Sequence, residues 1–364
     1  MKSYQIRLLR WTLAVGASLL WAASVAQGAV VQNLYSATVP IAAQSEVERR
    51  KAVRRGLADV LVKMSGSRAV LNNVAVRAAL SQAESYMLEF GYATQVGAHG
   101  SPHNALTARY AAPLVDQLLR EQQLPIWPAN RPEWAVWVVL DRPAGLQFVA
   151  ADGDADLYAQ LEQAFTRRGL SYQLPLLDLQ DQLTLNTEQA WNFEAAAVHA
   201  AARRYAAEYG FVVRYRRTSS AWEGGWLLAG AGTGETGTVS AQSLDELVVA
   251  ALDAAVDRFA PRFAFAGGGG QTHTALVLEN IDSYQRYTDA LTLLQTLEMV
   301  SDVQVTRVEG DLLFLSVTVE GDVQILLTAL QRDAALTLVT PSEPVNSGQP
   351  TPNSYRFRWH GAAR

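Results

Sequence analysis

The acidic run Asp152-Gly-Asp154-Ala-Asp156 is the first candidate for chemistry, because its carboxylates follow the Asp-x-Asp-x-Asp opening of a calcium-binding loop. The rest of that motif is missing, since Leu157 replaces the required glycine and Gln163 replaces the required bidentate glutamate. Carboxylates just before a helix also interact favourably with its N-terminal dipole. We therefore expect helix capping here rather than calcium binding.

Glycine and serine motifs give no stronger signal. The spacing Gly232-x-Gly234-x-x-Gly237 matches a dinucleotide-binding fingerprint, which requires a strand that leads through the glycines into a helix. Strand-like residues lie on both sides of this run, so we predict a flexible hairpin loop. Ser65-Gly-Ser67 lacks the Gly-x-Ser-x-Gly elbow of a serine nucleophile and predicts a cap or turn.

The histidines are the remaining candidates. His99 and His103 stand four residues apart, a spacing that lets two imidazoles share a metal ion on a helix. Gly97, Gly100 and Pro102 oppose a helix there, and no carboxylate lies close by.

His199 and His273 have no partner close in sequence. The sequence thus nominates no catalytic, cofactor-binding or metal-binding residue.

Exposed aromatic rings could instead form a binding platform for sugars or proteins. Trp134 and Trp137 lie on opposite faces of an apolar strand and are expected in the core, as is at least part of the pair Trp222 and Trp226. The surface candidates are the tryptophans at positions 127 and 359.

Residues 1–28 have the pattern of an export signal. Lys2, Arg7 and Arg10 precede the uncharged, largely apolar run Trp11 to Ala26, and Ala26-Gln27-Gly28 offers a small-x-small cleavage site. Cleavage would leave Ala29 as the N-terminus and place the protein in the periplasm. The alternative is an uncleaved anchor, but the apolar run is shorter than the roughly 20 residues that a spanning helix needs.

The amino-acid composition argues against a lipid anchor and against a nucleic-acid partner. The chain contains no cysteine, which excludes a lipoprotein anchor. Removing the three basic residues of the signal from the 30 in the chain leaves 27 against 35 acidic residues. This acidic balance disfavours nucleic acid as a partner, because phosphates require clustered Lys and Arg.

The first domain is expected over 29–130, as a small α/β domain built on a mixed sheet. A half-buried strand is predicted over Val30 to Val39 from its alternating pattern. Ser45 and Glu48 form a capping-box pattern before an amphipathic helix that ends at Ser65-Gly66. One face of this helix carries a basic cluster, which we interpret as a solvated surface: Arg49, Arg50, Lys51, Arg54 and Arg55.

The second domain is expected over 131–266, as an α/β unit. The apolar run from Trp134 predicts a central strand. A helix over Asp156 to Arg168 and a strand over Ser171 to Leu177 complete a β-α-β unit, and a second helix is predicted over Glu194 to Tyr209. Three strands between 211 and 241 and a long helix from Leu244 to Phe263 follow.

The glycine run at 267–271 predicts a flexible linker, because four consecutive glycines carry a large entropic cost in any regular element. Beyond it, the third domain at 272–364 has the element order β-α-β-β-α-β of a ferredoxin-like unit. Alternation over Tyr355 to Trp359 predicts an added edge strand. The fold class is therefore a multidomain combination of α/β and α+β units.

Three segments carry a family resemblance: Leu34 to Pro40, Ala58 to Gly66, and Leu124 to Trp137. They resemble a family of exported proteobacterial proteins that is catalogued only as a domain of unknown function. The resemblance extends over most of the mature chain and supplies no active site. Residues 134–263 are loosely similar to the N-terminal domain of TolB and to outer-membrane activators of peptidoglycan synthases, in which such units serve as docking modules.

The resulting hypothesis is a non-catalytic periplasmic docking protein that binds envelope proteins or peptidoglycan-associated components. Neither a cofactor nor a metal is expected, and membrane contact is limited to the export signal. The alternative is an envelope hydrolase whose site assembles only in three dimensions. Its least implausible participants are His99, His103 and Asp152.

Overall fold

The computed structural model of the protein describes residues 29–30, 33–96, 102–339 and 354–361. The predicted export signal at 1–28 and the candidate His99 lie outside these residues. The described chain folds into mixed α/β structure with three larger sheets, which confirms the predicted fold class.

The first region contains a three-stranded sheet in the order β2-β4-β3, covered by the long helix α1. Both strand pairings are antiparallel, so the prediction of a mixed sheet is wrong. Its elements are β1 (Ala29–Val30), β2 (Ser36–Pro40), α1 (Glu46–Ser65), α2 (Val74–Ser81), β3 (Met87–Val96), β4 (Pro102–Tyr110), α3 (Ala112–Glu121), β5 (Pro125–Ile126) and β6 (Asn130–Arg131). Short 3₁₀ turns occupy Arg68–Asn72 and Ala83–Tyr86.

Helix α1 begins and ends where the sequence predicts. The Ser45 side chain accepts a hydrogen bond from the backbone N–H of Glu48 at 3.3 Å. At the other end, Gly66 adopts the left-handed conformation and donates to the Val62 carbonyl at 2.9 Å. The predicted strand over Val30 to Val39 is instead divided, because a turn at Asn33 separates β1 from β2.

The middle region is built on a six-stranded sheet. Its path is β12-β11-β10-β7-β8, and β9 pairs in parallel with β7. The elements are β7 (Trp134–Arg142), β8 (Gly145–Phe148), α4 (Ala155–Arg168), β9 (Tyr172–Gln173), α5 (Leu179–Thr184), α6 (Thr187–Trp191), α7 (Ala195–Arg203), β10 (Tyr209–Arg217), β11 (Trp222–Gly230), β12 (Thr233–Ala241), α8 (Leu244–Phe259), a 3₁₀ turn (Ala260–Arg262) and β13 (Phe265–Ala266).

The central strand β7 is confirmed, with Trp134 and Trp137 buried on its opposite faces. Two boundaries were wrong. The strand predicted from Ser171 is limited to β9, and the second helix ends at Arg203 because the chain turns into β10 at Tyr209. The predicted glycine hairpin is also shorter than expected, since β12 already begins at Thr233.

The C-terminal region is a five-stranded sheet in the order β15-β16-β14-β18-β17. Its elements are β14 (Gln271–Glu279), α9 (Tyr284–Thr296), β15 (Val300–Glu309), β16 (Leu312–Glu320), α10 (Val323–Arg332), β17 (Leu336–Leu338) and β18 (Ser354–Trp359). The predicted β-α-β-β-α-β order of elements is present.

The prediction that the tail adds an edge strand is wrong. Strand β18 lies inside the sheet, parallel to β14 and antiparallel to β17. Its apolar side chains Phe357 and Trp359 are both buried, and an interior position covers them as an edge position would not. The sheet is therefore not a plain ferredoxin-like unit, because the tail separates two strands of the repeat.

The two tryptophans proposed for the surface are buried, each only 1% exposed. Trp127 packs beneath the Arg131 guanidinium, 4.0 Å from the ring centroid, and against Phe259. Trp359 is covered within the C-terminal sheet. Burial of these large rings depends on contacts with elements that are distant in sequence, which the local sequence does not indicate.

Hydrogen bonds hold the glycine run that was predicted as a flexible linker. Gly267 donates to the Leu124 carbonyl at 3.1 Å, and Gly268 donates to the Glu320 carboxylate at 3.3 Å. One hydrophobic core also includes residues of both the first and the C-terminal regions, such as Leu119 and Leu315. The division into separate domains remains a prediction.

Candidate functional site

A cleft of about 910 Å³ lies between strand β2, helix α1 and helix α4. Three ionisable side chains of α1 project into it at four-residue spacing, Arg55, Asp59 and Lys63, so they share one face of the helix. Glu162 and Arg167 of α4 line the opposite wall. We call this space the α1–α4 cleft.

Lys63 is the least exposed of these groups, at 5%. Its Nζ donates to the backbone carbonyl of Ser36 on β2, at 2.9 Å. The pKa of Lys63 is lowered to about 8, chiefly by burial and also by the nearby Arg131 cation, whereas Asp59 opposes the change. An amine with this pKa is partly neutral in mildly alkaline solution.

The cleft contains both positively and negatively charged side chains. Burial raises the pKa of the Asp59 carboxyl, while Arg167, Arg55 and Lys63 act against that rise. Arg167 also pairs with Asp253 of α8, at 3.2 Å. The cleft therefore contains more cations than carboxylates, and one of the cations is anchored to the protein backbone.

Strand β2 gives the cleft a free backbone edge, because it is the terminal strand of its sheet. The carbonyl of Tyr35 accepts from Tyr110, and the N–H of Ile41 donates to Asn104, so odd-numbered residues bond towards β4. Backbone bonding alternates in direction along an antiparallel strand. The backbone groups of Ser36, Thr38 and Pro40 therefore face the cleft.

Arg131 fixes the two walls of the cleft relative to each other. Its guanidinium is buried and donates to the carbonyls of Lys63 at 2.7 Å, Arg168 at 2.8 Å and Gly169 at 3.0 Å. It also bonds to the carbonyls of Pro128 and Trp127. Burial lowers the pKa of Arg131 to about 9, so it remains a cation at neutral pH.

A second ionic contact joins the same two regions beside the cleft. Arg168 of α4 is buried and donates to the Gly66 carbonyl at 2.8 Å and to Asp257 of α8 at 2.7 Å. Arg68 of the first region reaches the same Asp257 carboxylate at 2.7 Å. These bonds hold α1 and α4 in place, so the cleft is preformed.

The arrangement is suited to binding. Among the described residues that line the cleft there is neither histidine nor cysteine. The hydroxyls of Thr38 and Thr107 bond to each other at 2.9 Å rather than to an acid or a base. Ammonium and guanidinium groups beside free backbone carbonyls and amides can recognise carboxylates and extended polypeptide.

The structure does not bring the sequence candidates to this cleft. Asp154 caps α4 by accepting from the Leu157 N–H at 3.1 Å, which confirms the capping interpretation. Asp152 is exposed in the preceding turn, whereas His103 lies on β4 opposite Gln95. Among the described residues, no hydrogen bond or ion pair joins Asp152 to His103.

Two further candidates, Ser65 and His273, form hydrogen bonds with neighbouring residues of the fold. Ser65 is buried and donates to the Ser67 carbonyl at 3.0 Å. The Nδ1 atom of His273 lies 2.9 Å from the Thr318 hydroxyl on the neighbouring strand.

In the basic cluster of α1, three members form ion pairs with glutamates: Arg49, Arg50 and Lys51. This pairing agrees with a solvated surface, apart from Arg55, which lines the cleft.

Sequence reasoning missed Lys63, Asp59 and Arg167. One signal was available, since the chain has only three lysines and Lys63 is the one on the apolar side of a helix. Arg167 carries no such signal, because its role depends on how α4 packs against the first region.

The described residues contain neither a membrane-crossing helix nor a cluster of metal ligands. None of the helices in that part of the chain is both long and apolar enough to cross a membrane. Nor do the described ranges contain three or more His, Cys, Asp or Glu side chains grouped as metal ligands.

Comparison with known proteins matches one region of the chain to a family model. A family described as Domain of unknown function (DUF8605) matches residues 28–128, a narrower span than the resemblance expected from the sequence. No curated protein matches the chain. Among solved structures, the LpoB C-terminal domain from Salmonella enterica is similar at 17% identity and a TM-score of 0.21, over 31% of this chain and 83% of that chain.

Proposed function

We propose that this chain is a non-catalytic docking protein of the cell envelope, and that its α1–α4 cleft binds an extended, carboxylate-bearing segment of a partner protein. One observation carries the proposal. The free edge of β2 lines a preformed cleft in which the Lys63 ammonium bonds to the Ser36 carbonyl of that edge.

The backbone edge of β2 can orient a bound segment but contributes little to the affinity for it. Strand β2 has five residues, and Pro40 has no N–H to donate. A partner strand could therefore bond mainly to the N–H and carbonyl of Thr38. So short an edge, which ends in a proline and has its Ser36 carbonyl occupied by Lys63 of α1, also resists indiscriminate strand pairing.

The cations supply the remaining recognition. Arg55 is exposed at the mouth of the cleft, Arg167 is partly exposed on the opposite wall, and Lys63 lies deep between them. A carboxylate on the bound segment would gain charge-assisted hydrogen bonds from these groups. Asp59 and Glu162 would disfavour a segment with several acidic residues, so we expect one carboxylate rather than an acidic tract.

The location follows from the export-signal pattern at 1–28, which directs the chain to the periplasm. The excess of acidic residues supports protein partners over nucleic acid. The partner is accordingly expected among envelope proteins.

Affinity capture from solubilised envelopes tests the proposal with two matched pairs of variants. Arg55→Met and Lys63→Met alter the cleft, whereas Arg54→Met and Lys51→Met make the same changes on exposed parts of the same helix. We expect each cleft variant to lower recovery of the same partner by about tenfold, because a hydrogen bond to a charged group contributes roughly 1.5–3 kcal/mol. Equal recovery by all four variants would contradict the proposal.

Protein stability must be measured beside recovery, because Lys63 is buried. Arg55 is exposed, so its substitution should leave the melting temperature unchanged and still lower recovery. The Arg55 and Arg54 pair therefore separates loss of binding from loss of folding.

A further inference from the structure

A cavity of about 650 Å³ opens on the middle sheet, on the face opposite to the one that α4 and α8 cover. Strands β10, β11 and β12 form its floor. Because residues two positions apart on a strand share a face, two rows of residues cross this floor: Arg214, Gly225 and Thr238 in one, and Arg216, Glu223 and Ser240 in the other. We call this space the β10–β12 cavity.

The Arg214 guanidinium is held in place beside this floor. It lies 4.1 Å from the centroid of the Phe193 ring and 5.4 Å from that of the Trp191 ring, and it donates a hydrogen bond to the Trp191 carbonyl. The Phe193 ring occupies the space left by Gly225, where an added side-chain carbon would lie 3.3 Å from the ring. The guanidinium is therefore preorganised, and among the described contacts only its Nη1 atom has an acceptor.

Arg214 has no carboxylate partner among the described residues. Glu223 is the one carboxylate on the described lining of the cavity, and it pairs with Arg216 at 3.3 Å. Two arginines against one glutamate leave an excess of one positive charge. Burial, together with the Arg216 cation, lowers the pKa of Arg214, as expected for a charge that no anion compensates.

Other partly buried arginines show the kind of group that would complete this arrangement. Two that lie against aromatic rings each pair with a carboxylate: Arg204 with Asp178 at 2.7 Å, and Arg332 with Glu208 at 2.9 Å. At Arg214 the described chain supplies no such group, so a carboxylate on a ligand would take the same place.

We propose that the β10–β12 cavity binds a small hydroxylated carboxylic acid of the sugar-acid class, with its carboxylate on Arg214. A planar guanidinium binds a carboxylate through two parallel hydrogen bonds, and the single excess positive charge matches one carboxylate. The exposed hydroxyls of Thr238 and Ser240 can bond to ligand hydroxyls, while the Trp191 ring packs against an apolar face of the ligand. The cavity volume lies within the range of about 300–1000 Å³ that is typical of small-molecule sites.

This site is separate from the α1–α4 cleft. Helix α4 forms one wall of that cleft and packs against the other face of the middle sheet. The inference therefore does not rest on the proposed docking function, and either can fail without the other.

Calorimetric titration of the chain that begins at Ala29 with glucuronate, glucose and glucose 6-phosphate tests the ligand class. We expect glucuronate to bind with a dissociation constant of about 1 mM or lower. Glucose should bind at least about tenfold more weakly, because it lacks the charged group that bonds to Arg214. Glucose 6-phosphate should also bind more weakly than glucuronate, because Glu223 repels its second negative charge. Absence of glucuronate binding, equal binding of glucose, or tighter binding of glucose 6-phosphate would overturn the inference.

A matched pair of variants on β10 tests the assigned residue. Arg214→Met should weaken glucuronate binding at least about tenfold and remove the preference for glucuronate over glucose. Arg217→Met is the control, because Arg217 is exposed on the same strand and does not line the cavity. It should leave the affinity unchanged, and equal affinities in the two variants would overturn the inference.

Thr238→Val extends the test to a position where the fold should tolerate the change, since Thr238 is exposed on β12 and valine has a similar volume. We expect an unchanged melting temperature and binding of glucuronate that is weaker by about threefold, because one neutral hydrogen bond is lost. If Arg214→Met fails to fold, unchanged affinity in Thr238→Val would still overturn the inference.

Discussion

Replacing Lys63 by methionine removes an ammonium group that is only 5% exposed and keeps a side chain of similar length. The structure predicts how the effect of this change varies with pH. The pKa of Lys63 falls from 10.5 to about 8 on folding, chiefly because burial disfavours the charged form.

The direction in which stability changes with pH depends on whether the folded or the unfolded chain binds the Lys63 proton. Below pH 8, Lys63 is protonated in both folded and unfolded chains, and the folded protein bears the cost of the buried charge. Between pH 8 and 10.5 the unfolded chain holds a proton that the folded chain has released. The free energy of unfolding of the natural protein therefore rises with pH in this window, relative to the variant.

The magnitude follows from the same pKa values. Each pKa unit corresponds to about 1.4 kcal/mol, so the fall to about 8 predicts a relative gain of about 3 kcal/mol once the window is crossed. Above 10.5 no further gain is expected, because both states are then neutral.

Urea unfolding of both proteins at intervals from pH 7 to pH 10.5 measures this difference. Subtracting the two curves removes the titration of groups that they share. A difference that stays flat across the window would refute the assigned burial of the Lys63 charge, as would a change of opposite sign.

Three further substitutions test the packing around the site, each by chemical or thermal unfolding. Arg131→Met leaves five backbone carbonyls without their donor and should destabilise the protein by about 3–5 kcal/mol; a cost below about 1 kcal/mol would contradict its role between the cleft walls. Gly66→Ala should destabilise by more than about 1 kcal/mol, because the added carbon would lie 2.4 Å from the Ala260 side chain at a positive φ. Asp154→Ala should remove about 1 kcal/mol through loss of the α4 cap, whereas Asp152→Ala should change stability by less than about 0.5 kcal/mol; equal effects would refute the capping role.

Local signals in the sequence predicted the elements that depend on local chemistry. Ser45 and Gly66 set the ends of α1, and the apolar run from Trp134 identified the central strand β7. Both signals operate within a few residues of the element that they define, so they remain readable without a fold.

Properties that depend on distant packing could not be predicted. Trp359 has the same alternating surroundings at an edge or inside a sheet, and only pairing of β18 with both β14 and β17 distinguishes the two. Trp127 is buried because Arg131 and α8 cover it. The residues next to Trp127 in the sequence indicate neither of these contacts.

The candidate site was missed for the same reason. Lys63 and Arg167 are separated by a hundred residues and meet only because α4 packs beside α1. The rarity of lysine in this chain was the one available clue to Lys63. The sequence nominated no site, and it offered Asp152, His99 and His103 only as the least implausible participants of the alternative, because motifs depend on spacing along the chain.

Site-specific photo-crosslinking in living cells tests the central claim most directly. A photoreactive residue at Gln163, which is exposed and lines the cleft, is compared with one at Gln285, which is exposed on α9 and does not line it. We expect the photoreactive residue at Gln163 to form a discrete crosslink to an envelope protein, and we expect that crosslink to disappear when Arg55→Met is added. The photoreactive residue at Gln285 should form no such crosslink. Equal crosslinking from both positions, or crosslinking from Gln163 that survives Arg55→Met, would contradict the proposed docking function.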